Sequence, residues 1–181
     1  YGVIRAAVAH ARETGTRVMC MVRPRGGSFE YAPDEAAMMR DDLLCAKRLG
    51  VDGVVFGCLR DGHLDRELTS ELVRLAHEDA PDAPGHVDVT FHMAFDALPA
   101  DEQLDAIDWL AGQGVERILT HGGAAGTPIA DNLGRLREFV ERAAGRITIL
   151  PGGGITWENA ESVALELGVS EVHGTKIVRV A

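Results

Sequence analysis

At 181 residues the chain is long enough for one domain with a sizeable core. Its 18 Lys and Arg against 28 Asp and Glu leave a formal net charge of −10, which argues against nucleic acid or an anionic membrane as a partner. Three cysteines with no CxxC spacing and no apolar run of membrane length exclude a disulfide framework and a spanning helix, and the expected setting is reducing and cytoplasmic.

The first residues, Tyr1-Gly2-Val3-Ile4-Arg5, read as the middle of a longer protein rather than as a start. Val3, Ala6, Ala7, His10 and Ala11 form a helical stripe, and Gly15 is a natural left-handed stop. Residues 17–27 are the stretch around which the rest of the chain is organised. A short apolar run is bounded by Gly15 and by Pro24, Gly26 and Gly27, so a strand is expected to end near Arg23. Alternation puts Met19, Met21 and Arg23 on one face, and Val18, Cys20 and Val22 on the other, where Cys20 is expected in the core. Two arginines, Arg23 and Arg25, at the end of a buried strand suit an anion; the alternative is pairing with carboxylates on neighbouring loops.

Pro33, with Asp34 and Glu35 in the first turn, opens a helix through Met38, Leu44, Cys45 and Leu49 to Gly50. Residues 53–57 are a second strand, followed by the turn-like Asp61-Gly62. Asp65 can cap a helix with the stripe Leu68, Leu72, Leu75 and Ala76. Residues 87–92 are a third strand, and Asp101 opens a helix with Leu104, Ile107 and Leu110. Residues 115–120 are a fourth strand, and Thr127 and Pro128 start a helix with Ile129, Leu133, Leu136 and Val140. Residues 147–150 are a fifth strand closed by three glycines, Thr156 caps a last helix, and residues 169–173 are a sixth strand. Alternation at roughly 30-residue spacing means parallel βα units and an α/β fold, with residues 1–181 as a single domain. Polar residues collect just beyond the strands, where parallel α/β proteins place their sites. No GxGxxG, GxxxxGK[ST] or GxSxG is present, so nucleotide-binding and serine-hydrolase readings lack support.

The blocks Val22-Arg-Pro-Arg-Gly-Gly27, Asp52-Gly-Val-Val-Phe-Gly57, Thr90-Phe-His-Met-Ala-Phe-Asp96, Arg117-Ile-Leu-Thr120 and Pro151-Gly-Gly-Gly-Ile155 resemble the motifs of the CutC family, named for copper homeostasis, in order and spacing. The resemblance covers essentially the whole chain and implies a (β/α)8 TIM-barrel-like fold. About six βα units are then present, the family's first two strands are missing, and too little sequence follows Val180 for its last helix. The gap left by the missing strands is expected to be filled by further segments of the protein or by a second copy, hence a homo-oligomer. Three positions depart from the family pattern: Met93 stands where Arg is usual, His121 where Ser is usual, and His173-Gly174-Thr175-Lys176 where a small hydroxyl residue and Ala follow the last strand.

Three constellations carry chemistry. Cys58, His92, His121 and His173 end strands and offer thiolate and imidazole to Cu(I) or Zn. The alternative is that the histidines bond loop backbone and Cys58 is a small buried hydrophobe. Gly152, Gly153 and Gly154, with Gly174 and Thr175, can bind an anion beside a helix start, and Arg23 supplies a further contact. Close backbone packing is the other use for such glycines. His92 with Asp96 is a candidate acid-base pair. The chain is therefore expected to be either a copper-homeostasis protein holding Cu(I) at the strand ends, or an enzyme on a small phosphate- or carboxylate-bearing substrate with an indirect copper link.

Overall fold

The computed structural model describes residues 1–178; the stretch around Val180, where the family's last helix would begin, lies outside the described residues. The chain divides into two compact units, Tyr1–Thr90 and the part from Phe91 onward.

In the first unit, α1 (Gly2–Thr14) stops at Gly15 with φ 68°, and β1 (Met19–Met21) pairs in parallel with β2 (Gly53–Phe56), Met19 opposite Gly53. A Cβ at residue 53 would stand 2.8 Å from the backbone oxygen of Asp88, which cannot rotate away, as well as against the Met19 thioether. The strand order in this unit is β1, β2, then β5 (Asp88–Phe91), whose Asp88 N–H donates to Asp52 O at 3.0 Å. Asp52 accepts from Val18 N–H (2.7 Å), and Arg17 pairs with Asp88 (2.6 Å), which holds the N-terminal ends of the strands in register.

The helix α2 (Pro33–Leu49) has the expected proline at its first turn and buries Ala36, Met39, Leu43 and Ala46. It packs on α3 (Arg66–His77), to which Arg40 is tied by a two-pronged pair with Glu71 at 2.6 and 2.7 Å. Asp65 caps α3 as expected, accepting from Leu68 N–H at 3.0 Å.

Two short strands that the sequence did not indicate, β3 (Leu59–Arg60) and β4 (His63–Leu64), pair antiparallel. Asp61 and Gly62, at φ 53° and 79°, form the two-residue turn between them, and a link that short can only join antiparallel neighbours. Cys20 and Cys45 are half-buried, so Cys20 is not the core residue that alternation indicated. Val22 on the same face is buried.

The second unit runs through a 3₁₀ turn (Met93–Ala97), α4 (Gln103–Gly112), β6 (Arg117–Thr120), a second 3₁₀ turn (Ile129–Asn132), α5 (Leu133–Ala143), β7 (Thr148–Pro151) and α6 (Ala160–Leu167). The strands β6 and β7 pair in parallel with Arg117 opposite Thr148, and Phe95 meets Phe139 edge-on in the core at 5.2 Å. Thr127 does not cap a helix; the chain first makes the 3₁₀ turn, and the Thr127 hydroxyl donates to Ala124 O.

The sixth strand does not form. Among the described residues, 169–173 make one ladder-type bond, His173 N–H to Pro151 O at 2.8 Å, and a single bond does not fix a strand. In both units the polar residues singled out by sequence follow the C-terminal ends of the strands: Arg23 and Cys58 in the first, His121 and Gly152 in the second.

Candidate functional site

The two arginines after β1 have separate roles. Arg25 directs Nε and Nη2 at the Glu35 carboxylate (2.6 and 3.0 Å), Nη1 at Gly26 O and Ser28 O, and Nη2 also at Glu30 O. A guanidinium has five N–H donors, and here each has an acceptor. Arg25 is thus a clamp that shapes the loop, the carboxylate pairing weighed in the sequence. Its hydrogen bond, followed by that of Ala32 N–H, holds the Glu35 carboxyl below the ordinary carboxylate range.

Arg23 donates from Nη2 to Gly27 O (2.6 Å) and lies over the Phe29 ring at 4.6 Å. Its Nε is buried and has no hydrogen-bond acceptor among the described residues, and the same holds for Tyr31 Oη. Orphaned buried donors are costly. Burial, then Cys58, pushes the Tyr31 phenol up, with Arg23 and Arg25 pulling it back. Cys58 itself is fully buried, and burial followed by the Asp65 charge drives its thiol far above the ordinary cysteine range against a smaller effect of Thr69. The sequence offered no motif for Tyr31.

In the second unit, Asp96 braces the end of β6. It accepts from the Thr120 hydroxyl (2.5 Å), His121 N–H (2.9 Å) and Gly122 N–H (3.2 Å). Burial, partly countered by these bonds, raises its carboxyl above the ordinary value. His92 is buried and accepts at Nδ1 from Ala94 N–H at 3.2 Å, which fixes the start of the 3₁₀ turn. His121 meets carbonyls at both ring nitrogens, Gly152 O at Nδ1 (3.0 Å) and Thr127 O at Nε2 (3.0 Å). Among the described residues of this unit, His92, His121 and His173 do not join a group of three ligand atoms within 4.8 Å.

A cleft of about 380 Å³ opens in this unit between Met93, residues 153–156 and residues 173–176. Two loops build it. Gly153 and Gly154 hold φ 81° and 80° after β7, and a Cβ on Gly153 would stand 2.7 Å from His121 Nδ1. Thr156 bridges to Lys176, Trp157 N–H donates to Lys176 O (2.9 Å), and Gly174 packs directly on Ile155 O with no room for a Cβ. Asn159 locks the first loop, its Oδ1 accepting from Thr156 N–H (2.8 Å) and its Nδ2 donating to Gly154 O (3.0 Å). Thr156 serves this turn, accepting from Glu158 N–H, rather than capping α6 directly. The lining includes Lys176, His173, Thr175 and Thr156 and, among the described residues, no Asp or Glu. Lys176 was not singled out by the sequence, although it follows Gly174 and Thr175, which were.

Comparisons with known proteins agree with this framework. A "family protein CutC" of Enterococcus faecalis is 52% identical over 178 residues, covering 98% of this chain and 81% of the relative. The human "Copper homeostasis protein cutC homolog" is 38% identical over 157 residues, 86% of this chain and 53% of that protein. The solved structure of a Streptococcus agalactiae copper homeostasis protein CutC superposes with a TM-score of 0.91 at 39% identity, over 98% of this chain and 81% of its own. Deoxyribose phosphate aldolase from Aeropyrum pernix, at 14% identity and a TM-score of 0.70 over 96% of this chain and 70% of its own, shares the fold. The fold class is thus α/β and (β/α)8-like. No helix of the described residues is long and apolar enough to cross a membrane. The motif blocks, the strand-end residues and a match over residues 1–178 agree: the chain belongs to the CutC family.

Proposed function

We propose that this chain binds a small phosphate- or carboxylate-bearing molecule in the cleft between residues 153–156 and 173–176, and acts on it as a (β/α)-type enzyme whose copper link is indirect. One observation carries the reading. In a chain of net charge −10, this cleft is lined by a lysine, a histidine, two threonines and glycines and, among the described residues, by no Asp or Glu. Gly153, Gly154 and Thr175 all line this cleft, and an anion there would meet their backbone and the threonine. Gly152, where a Cβ would come within 2.5 Å of the Leu119 side chain, serves packing. His92, next in the chain to Met93 of the cleft wall, and His173 of the lining are the imidazoles this reading assigns to proton transfer. Asp96 is a positioning residue for the β6 end. In the first unit, the unmet Nε donor of Arg23 supports a second anion contact.

A Cu(I) centre on Cys58, His92, His121 and His173 fits the residues poorly. Cys58 is fully buried, backbone carbonyls face both nitrogens of His121, and among the described residues these four join no group of three converging ligand atoms. The copper reading draws instead on the names of the mouse and human relatives, and on Met93 and His173, soft and borderline donors in the cleft. Calorimetric titration with inorganic phosphate and with acetate, beside a competitive Cu(I) titration, tests both. The expected result is anion binding lost in Lys176→Met, with Cu(I) affinity unchanged in Cys58→Ser. Phosphate and acetate heats equal to buffer, with Cu(I) affinity dropping tenfold in Cys58→Ser, would reverse the assignment.

A further inference from the structure

Away from the cleft, the first unit brings two other histidines face to face. His77 closes the last turn of α3, and His86 stands in the connection from α3 to β5. Their rings stack with centroids 4.2 Å apart and 15° between planes, and a ring nitrogen of one lies within 4.8 Å of a ring nitrogen of the other.

The connection is built to hold this arrangement. Lys47, buried on α2, donates to Leu75 O (2.9 Å) and Glu78 O (2.7 Å), which fixes the end of α3 under His77. Ala80 and Ala83 exchange backbone hydrogen bonds, Gly85 N–H donates to Asp79 Oδ1 (2.6 Å), and Val87 N–H returns to Ala76 O (3.1 Å). His86 is thereby delivered to His77 by a loop closed on itself. Burial does not explain the pairing, since His86 is exposed.

We propose that His77 and His86 form a bis-imidazole site for a first-row transition-metal ion of the zinc and copper class. Imidazole is a preferred ligand of these ions. At a metal–nitrogen distance of about 2.0–2.1 Å, two nitrogens on one ion are at most about 4.2 Å apart. Each imidazole binds a metal through a lone pair in its own ring plane, so loading the ion turns the rings out of their stack; the nitrogens already lie within 4.8 Å of each other, and the turn falls to His86, which is exposed. The site is independent of the anion cleft and requires no sulfur ligand.

The test is calorimetry of the full chain with Zn²⁺, with Cu²⁺ as a spectroscopic probe. One Zn²⁺ per chain is expected at this site, with affinity falling tenfold or more in His77→Ala and in His86→Ala. The exposed His10→Ala and the cleft variant Lys176→Met should leave it unchanged. Pulsed electron paramagnetic resonance of the Cu²⁺ form should show two imidazole nitrogens in the parent chain and one in either variant. His86→Ala is at the surface and keeps the fold, so the proposal stays testable if His77→Ala does not. Unaltered Zn²⁺ affinity in His86→Ala, or no Zn²⁺ binding by the parent chain, would overturn it.

Discussion

Gly174→Ala separates the architecture of the cleft from its chemistry. A Cβ at this position would sit well inside contact distance of Ile155 O and 3.0 Å from Ile155 C, so the obstacle is backbone and cannot rotate away. Relief requires residues 173–176 to draw back from the glycine loop. That movement breaks the Trp157 N–H to Lys176 O bond and the Thr156–Lys176 bridge. Overpacking costs about 1–3 kcal/mol, and one lost backbone bond costs about 1 kcal/mol, so about 3 kcal/mol is expected in all. For a domain of this size that lowers Tm by about 6–12 °C. Phosphate affinity, read by calorimetry, should fall tenfold or more because Lys176 and Thr175 move together. Gly154→Ala is the control. It meets nothing within 4 Å but has φ 80°, so it should cost about 1–2 kcal/mol of backbone strain and leave the loops apposed. Parent-like Tm and phosphate affinity in Gly174→Ala would refute the geometry on which the cleft depends.

Other contacts set outcomes of their own. Cys58 should resist iodoacetamide at pH 8 in the folded protein while the half-buried Cys20 and Cys45 react, as counted by mass spectrometry. Asp96→Asn loses an acceptor at the β6 end and should cost about 1–3 kcal/mol in denaturant unfolding. Its pH dependence has a definite sign. Burial raises the folded-state value of Asp96 above 3.8, so its contribution is full below that pH and declines as pH rises through the folded value. The stability of the parent chain relative to Asp96→Asn should therefore fall from about pH 4 upward, and a rising difference would contradict the assignment. Arg25→Lys should not restore what Arg25→Ala loses in Tm, because an ammonium cannot reproduce five donors in a planar fork.

The sequence displayed the parallel strands well because each is a short apolar run between glycines and prolines, and such runs need no tertiary context to be seen. It displayed Asp65 as a cap for the same local reason. Thr127 and Thr156 look identical to caps in sequence, yet their hydroxyls serve turns that only the folded loops create. Residues 169–173 carry a strand composition, but a strand also needs a ladder, and here a single bond to Pro151 forms. The strand-end positions of Arg23, Cys58, His92 and His121 were legible from alternation. Whether a side chain there is available was not, since Arg25 is clamped by a carboxylate ten residues on and Cys58 is silenced by burial. His77 and His86 belong to no motif; a loop hairpin makes them neighbours.

The most direct test of the anion cleft is a crystal of this chain soaked in tungstate, a heavy tetrahedral anion, with data collected at the tungsten edge. An anomalous peak is expected in the cleft, against Gly153, Thr175 and Lys176. A peak elsewhere on the chain with that cleft empty, or no peak at saturating tungstate, would contradict the proposed function.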